Sequence, residues 1–165
     1  MLKRLVLLII FVSISLGCTK DDICTKETPT TPFLVIKFKS KINPLLSKDV
    51  INLTVTTIVD NDSIDIYNSE AATDSILIPL NTATSITEYL FIENNTTSNP
   101  GNTDKVTFGY QTDHIYINRA CSFKAIFKEL LTQLEVEEGQ NWISEIEVNL
   151  PIVENEDETH VTIFH

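Results

Sequence analysis

Glycine is scarce, with four in 165 residues, at Gly17, Gly101, Gly109 and Gly139. No glycine-rich phosphate cradle can be drawn from them, and no Gly-x-Ser-x-Gly nucleophile turn occurs. Positive charge is short too: 12 Lys and Arg stand against 23 Asp and Glu, for a formal net charge of −11. Such a balance opposes binding to nucleic-acid phosphates or to an anionic membrane surface. The three histidines, His114, His160 and His165, lack the i, i+4 spacing of a helical zinc site. No two cysteines form a CxxC pair. The acidic run Glu154-Asn155-Glu156-Asp157-Glu158 lacks the alternating Asp pattern and glycine of a calcium loop and reads as a solvated turn. Carboxylates are abundant, yet no pair is singled out for glycoside cleavage. The expectation is a protein that is not an enzyme and carries no metal or cofactor.

What the chain does have begins at its start. Lys3-Arg4 precedes an apolar run over residues 5–16, broken only by Ser13 and Ser15. A charged start, an apolar stretch of about a dozen residues and small residues before a cut describe a secretory signal peptide, here residues 1–17. The run falls short of the roughly 20 residues a membrane-spanning helix needs. Ser15-Leu16-Gly17-Cys18 resembles the lipobox of bacterial lipoproteins, although that pattern usually has Leu where Ser15 stands. The resemblance implies a diacylglycerol, and palmitate, on Cys18. Two or more acyl chains anchor a protein stably where one does not. Residues 18–32, polar and carrying Pro29 and Pro32, then read as a lipidated tether.

With Cys18 assigned to lipid, Cys24 and Cys121 remain in an oxidising compartment. A disulfide between them is expected; two free structural thiols are the alternative. The closed loop of roughly 100 residues corresponds to as much as ~4.7 kcal/mol in the chain-entropy account.

From Phe33 the hydrophobic period becomes two. Leu34, Ile36 and Phe38 alternate with Val35, Lys37 and Lys39, and Ile51, Leu53 and Val55 with Asn52, Thr54 and Thr56. Further strands are expected at 64–67, 75–80 and 86–92. A hairpin pair is expected at 105–110 and 114–118, and the last two strands at 145–152 and 160–164. Asn99-Pro100-Gly101-Asn102 marks a turn. Phe123, Ile126, Phe127, Leu130, Leu131 and Leu134 fall at helical spacing, with Ser122 as N-cap and Gly139 past the end. The expected fold is therefore mainly β: an antiparallel β-sandwich-like domain over residues 33–165 with one amphipathic helix at about 122–136. Tyr89, Tyr110, Tyr116 and Trp142 are candidate aromatics for stacking on a sugar.

Cys18-Thr19-Lys20-Asp21-Asp22-Ile23-Cys24, Asn118-Arg119-Ala120-Cys121, Asn141-Trp142-Ile143 and the terminal residues 160–165 resemble an uncharacterised family of Bacteroidota lipoproteins. The resemblance covers the chain beyond the signal peptide and implies no activity. It does imply that Lys20-Asp21-Asp22 is an export signal to the outer face of the outer membrane, the periplasmic face being the alternative. It further implies O-glycosylation at Ser63 and Ser75, each within an Asp-Ser-Ile triplet. The functional expectation is a non-enzymatic envelope lipoprotein, membrane-bound through its lipid, that binds or supports an unknown envelope partner. A surface glycan-binding module using the four aromatics is the alternative.

Overall fold

The computed structural model of the chain describes residues 23–25, 27–59, 62–136 and 139–165. The expected signal peptide 1–17, the expected lipidation site Cys18 and the expected export signal Lys20-Asp21-Asp22 lie outside the described residues. The chain divides into two compact units. The larger comprises Thr30–Ile115 and Ala125–His165; the described part of the smaller comprises residues 23–25, 27–29 and 116–124.

The described residues form nine strands: β1 (Leu34–Lys39), β2 (Leu53–Val59), β3 (Asp62–Ser69), β4 (Ser75–Ile78), β5 (Ile86–Glu93), β6 (Asn102–Asn118), β7 (Ser122–Leu134), β8 (Glu145–Val148) and β9 (Val161–Phe164). They form a four-stranded sheet of order β4-β1-β9-β8 and a five-stranded sheet of order β3-β2-β5-β6-β7. The period-two pattern decides which side chains are inside. Leu34, Ile36 and Phe38 of β1 are buried, while Val35, Lys37 and Lys39 face the other way. Tyr89 and Phe91 of β5 and Val106, Phe108 and Tyr110 of β6 face inward in the same manner. These rows join Ile76, Ile78, Val161 and Ile163 in one hydrophobic core. Each such large side chain removed from water contributes about 1.5–3 kcal/mol.

Three expectations about the fold are corrected. No helix occurs among the described residues, and residues 122–134 of the expected helix form β7. The helical spacing arises from a fault in the strand. Glu129 adopts φ +54°, so Phe127 and Leu130 both face the core although they are three residues apart. A bulge of this kind resets the alternation and imitates an i, i+3 step. The outcome differs from a helical stripe: Leu130 is 2% exposed and Leu131 70%. Ser122, the expected N-cap, instead sits at φ +63° next to the three-residue connection of β6 to β7.

The hairpin expected between 105–110 and 114–118 is also absent, because β6 runs unbroken for 17 residues. Its hairpin partner is β7. Nor is the pairing wholly antiparallel: β1 and β9 run parallel, with Ile36 opposite Val161 and Lys39 opposite Phe164. Parallel neighbours need a long connection, and here nearly the whole chain supplies it. As a result the starts of β1 and β9 lie at one end of the four-stranded sheet and the ends of both at the other.

At the Asn99–Asn102 turn the structure follows the sequence. Gly101 has φ +77°, and a Cβ there would lie 2.3 Å from the Glu93 carbonyl oxygen. Only glycine fits that approach.

Candidate binding surfaces

The sequence singled out aromatics, histidines and the cysteine pair. Three of the four aromatics belong to the core. Tyr89 is buried and its hydroxyl donates to the Pro79 carbonyl at 2.6 Å; burial pushes its pKa up to about 12. Tyr110 donates to the Asn81 carbonyl at 2.8 Å and lies 2.5 Å from the Thr87 hydroxyl. Trp142 donates its indole N–H to the Phe91 carbonyl at 3.1 Å. The expected stacking platform is corrected accordingly. Large rings with one polar atom suit a core when that atom finds a backbone acceptor, and these three do. Tyr116 alone is exposed, set edge-on to Phe123 with ring centroids 5.3 Å apart in the smaller unit.

The histidines have separate roles, and no cluster of metal-ligating side chains occurs among the described residues. His114 is exposed. His160 is buried rather than solvent-facing, and its Nδ1 accepts the backbone N–H of Val35 at 3.0 Å. That bond fixes the neutral ring, and burial lowers its pKa. His165 packs against Trp142 and Phe38 with centroids 5.5 and 6.1 Å away, and burial lowers its pKa too.

Cys24 and Cys121 are joined by a disulfide, with Cα atoms 5.0 Å apart. The bond holds the segment around Cys24, which lies in no strand, to the β6–β7 connection, not to a helix start. Asn118 Oδ1 accepts the Cys121 backbone N–H at 2.7 Å and shapes the same turn.

Two surfaces of the larger unit can meet a partner. The first is the outward face of the five-stranded sheet. Lys105 there lies 2.8 Å from Glu88 and 3.8 Å from Glu135. Its ammonium holds the Glu88 carboxyl below the usual range, and the pair raises Lys105 in return. Beside it, Ile58, Ile86, Thr87 and Asn81 line an open hollow of about 300 Å³. The charges satisfy one another, and the hollow is at the lower limit for holding a small molecule.

The second surface is the connection between β1 and β2, residues 40–52. Its backbone is internally bonded. Ser40 N–H donates to the Leu46 carbonyl at 3.1 Å, Leu46 N–H to Asn43 at 3.0 Å and Lys48 N–H to Phe38 at 3.2 Å. Asn43 Oδ1 accepts the Leu45 N–H at 3.3 Å, the Asx turn that Asn-Pro favours. This braced loop holds Ile42 and Leu45 97% and 90% exposed. Lys39, Lys41 and Lys48 flank them, and Lys41 is paired with Glu145. Asn43-Pro44 marks a turn here in the sequence, but periodicity is silent about which apolar side chains that turn presents outward.

Ser63 and Ser75 are exposed, on β3 and β4, the edge strands of the two sheets. The Asn141-Trp142-Ile143 motif is held by a buried carboxylate: Asp104 Oδ1 accepts Asn141 Nδ2 at 3.0 Å, and Oδ2 accepts the Ile143 N–H at 2.7 Å. Asp104 was not anticipated from sequence, where an aspartate in a strand resembles any surface acid.

No curated protein and no solved structure matches this chain. A family model does match, over residues 52–165, which takes in every strand except β1 along with Asp104, the Asn141-Trp142-Ile143 loop and His160. The chain belongs to that family, a family of unknown function (DUF6452).

Proposed function

We propose that this chain is a non-enzymatic lipoprotein of the bacterial cell envelope, carried on acyl chains at Cys18, whose β domain binds or supports an envelope partner. The observation that carries the reading is the Ser15-Leu16-Gly17-Cys18 motif after a charged start and a short apolar run. The Cys24–Cys121 disulfide supports it independently, since such bonds persist in exported proteins and are rare in a reducing cytoplasm. The inward roles of His160 and Asp104 fit a domain whose reactive groups serve its architecture. Surface display through Lys20-Asp21-Asp22 and Bacteroidota provenance belong to the same reading.

The test is metabolic labelling with an alkyne fatty acid, followed by mass spectrometry of the N-terminal peptide. A chain beginning at an acylated Cys18, with label lost in Cys18→Ser, is the expected result. An unmodified Cys18 inside a longer N-terminal peptide would overturn the reading. Protease shaving of intact cells then separates the two membrane faces: cleavage of the wild type but not of Asp21→Ala/Asp22→Ala supports surface display. Protection of both, with cleavage after lysis, puts the domain in the periplasm. Peptides covering Ser63 and Ser75 are expected to carry glycan mass, and only unmodified peptides would remove that part of the proposal.

A further inference from the structure

We propose that the smaller unit is a docking foot that lays Tyr116, Phe123 and Ile23 on the headgroup layer of the membrane holding Cys18. The inference rests on the acylation of Cys18 proposed above, and adds the surface through which the anchored chain meets its bilayer. Three observations point the same way. The first is unmet burial. Not one described residue of this unit is buried, and none belongs to the hydrophobic core. Tyr116, Phe123 and Ile23 are each more than half exposed, and the two rings brace each other edge-on across the β6–β7 hairpin. A ring with an apolar body and one polar end, as Tyr116 has, favours the boundary between lipid and water. All three side chains lie within five residues, along the chain, of Cys24 or Cys121.

The second is the length of the leash. Cys18 precedes Cys24 by six residues, and six residues of chain reach at most about 20 Å. The disulfide carries that attachment across to Cys121, so the hairpin tip is tied to the acylated residue by the same short stretch. Without the bridge, the chain would next be held at Thr31, whose hydroxyl accepts the Ala125 N–H at 2.9 Å. Thr31 is 13 residues from Cys18, a reach of roughly 45 Å. The headgroup layer on each side of a bilayer is about 5–8 Å deep. A patch held so near meets it at an effective concentration of the order of millimolar, so a small apolar area suffices. The third is charge. Beyond Cys18 the smaller unit has Lys20, Lys26, Arg119 and Lys124 against Asp21, Asp22 and Glu27, whereas the larger has six basic residues against twenty acidic. On the same hairpin, Asp113 is paired with Lys128 at 2.7 Å. The negative charge that repels a membrane surface is therefore carried by the larger unit, and the foot is close to neutral.

The experiment uses the full chain purified from membranes and carrying Phe123→Trp, with the wild type, whose one tryptophan Trp142 is buried, as baseline. It is reconstituted in vesicles of phosphatidylcholine and phosphatidylethanolamine, with acyl chains brominated either near the carbonyl or near the methyl end. The expected result is blue-shifted emission from position 123, quenched more strongly by the shallow bromines than by the deep ones. Adding Tyr116→Asp should return that emission to the value of a tryptophan in water. Cys24→Ser with Cys121→Ser should lower the ratio of docked to undocked chains about threefold, because effective concentration falls roughly as the −3/2 power of leash length. Trp142 emission, unchanged when the same changes are made without Phe123→Trp, shows that each variant folds. Solvent-like emission from a chain whose N-terminal peptide carries acyl mass overturns the docking foot and leaves the lipoprotein reading standing. An unmodified Cys18 overturns both. A bridgeless, folded chain that docks as well as the wild type overturns the role of the leash. A blue shift that appears only as protein per vesicle is raised, without bromine quenching, shows that a second copy covers the rings, and overturns the lipid as occupant.

Discussion

The Asp104 carboxylate and the backbone N–H of Ile143 meet at 2.7 Å, both residues buried, and a second oxygen of the same carboxylate holds Asn141. One side chain of β6 thus fixes the loop that delivers Trp142 and Ile143 to the core. Asp104→Ala would leave a buried N–H without an acceptor, at a cost of about 1–3 kcal/mol beyond the lost bonds. A fall in the urea midpoint of that order is expected, with Asp104→Asn, which keeps one acceptor, falling between. A change within experimental error for the alanine variant would mean that the loop is held by its apolar contacts alone.

The bulge at Glu129 gives opposite fates to neighbouring leucines. Leu130→Ala should cost about 2–5 kcal/mol by leaving a core cavity. Leu131→Ala should stay within about 0.5 kcal/mol. Equal losses at both positions in chemical denaturation would favour a helical stripe and contradict the strand.

Acid should destabilise the fold through His160. Its folded pKa is lowered by burial, so below about 6.5, the ordinary value, the unfolded chain takes up a proton that the folded one resists. The stability is complete above that pH and is lost as pH falls toward the folded pKa. His165 acts in the same direction. Glu93 acts in the opposite one, because burial raises its carboxyl pKa. The informative comparison is therefore between the wild type and His160→Gln, whose urea midpoint should change less between pH 7.5 and 5.5. Parallel pH profiles for the two chains would remove His160 from the account.

The disulfide closes a sequence separation of 97 residues that contains β1 to β5 and β6. Non-reducing peptide mapping should recover Cys24 and Cys121 in one species. Cys24→Ser should lower stability by as much as about 4–5 kcal/mol in the chain-entropy account. Both thiols alkylating without reductant would show that the bridge is not formed.

Much of the strand map was legible in the sequence, because a sheet with one wet face writes period two directly into β1 and β5; β2 alternates in sequence, yet Thr54 and Thr56 are buried along with Leu53 and Val55. The cysteine pairing was expected on the reading of an exported chain, and the structure joins Cys24 to Cys121. The errors at β6 and β7 share a local cause. A polar stretch around Gln111-Thr112-Asp113 resembles a turn when read alone, and a bulge at Glu129 resembles helical spacing. In both places the partner strand, not the local pattern, sets the conformation. Trp142 and the two buried tyrosines looked like ligand groups because an aromatic with a polar atom reads the same at a surface and in a core.

By itself the sequence determined the chain's mainly β class, through apolar alternation that only paired sheets can bury. The tertiary structure alone decided which strands meet. The parallel pairing of β1 and β9, made across most of the chain's length, places the acidic turn and the lysine-flanked loop at opposite ends. Long-range pairing of this kind depends on which surfaces bury each other best, and no window of neighbouring residues contains that comparison.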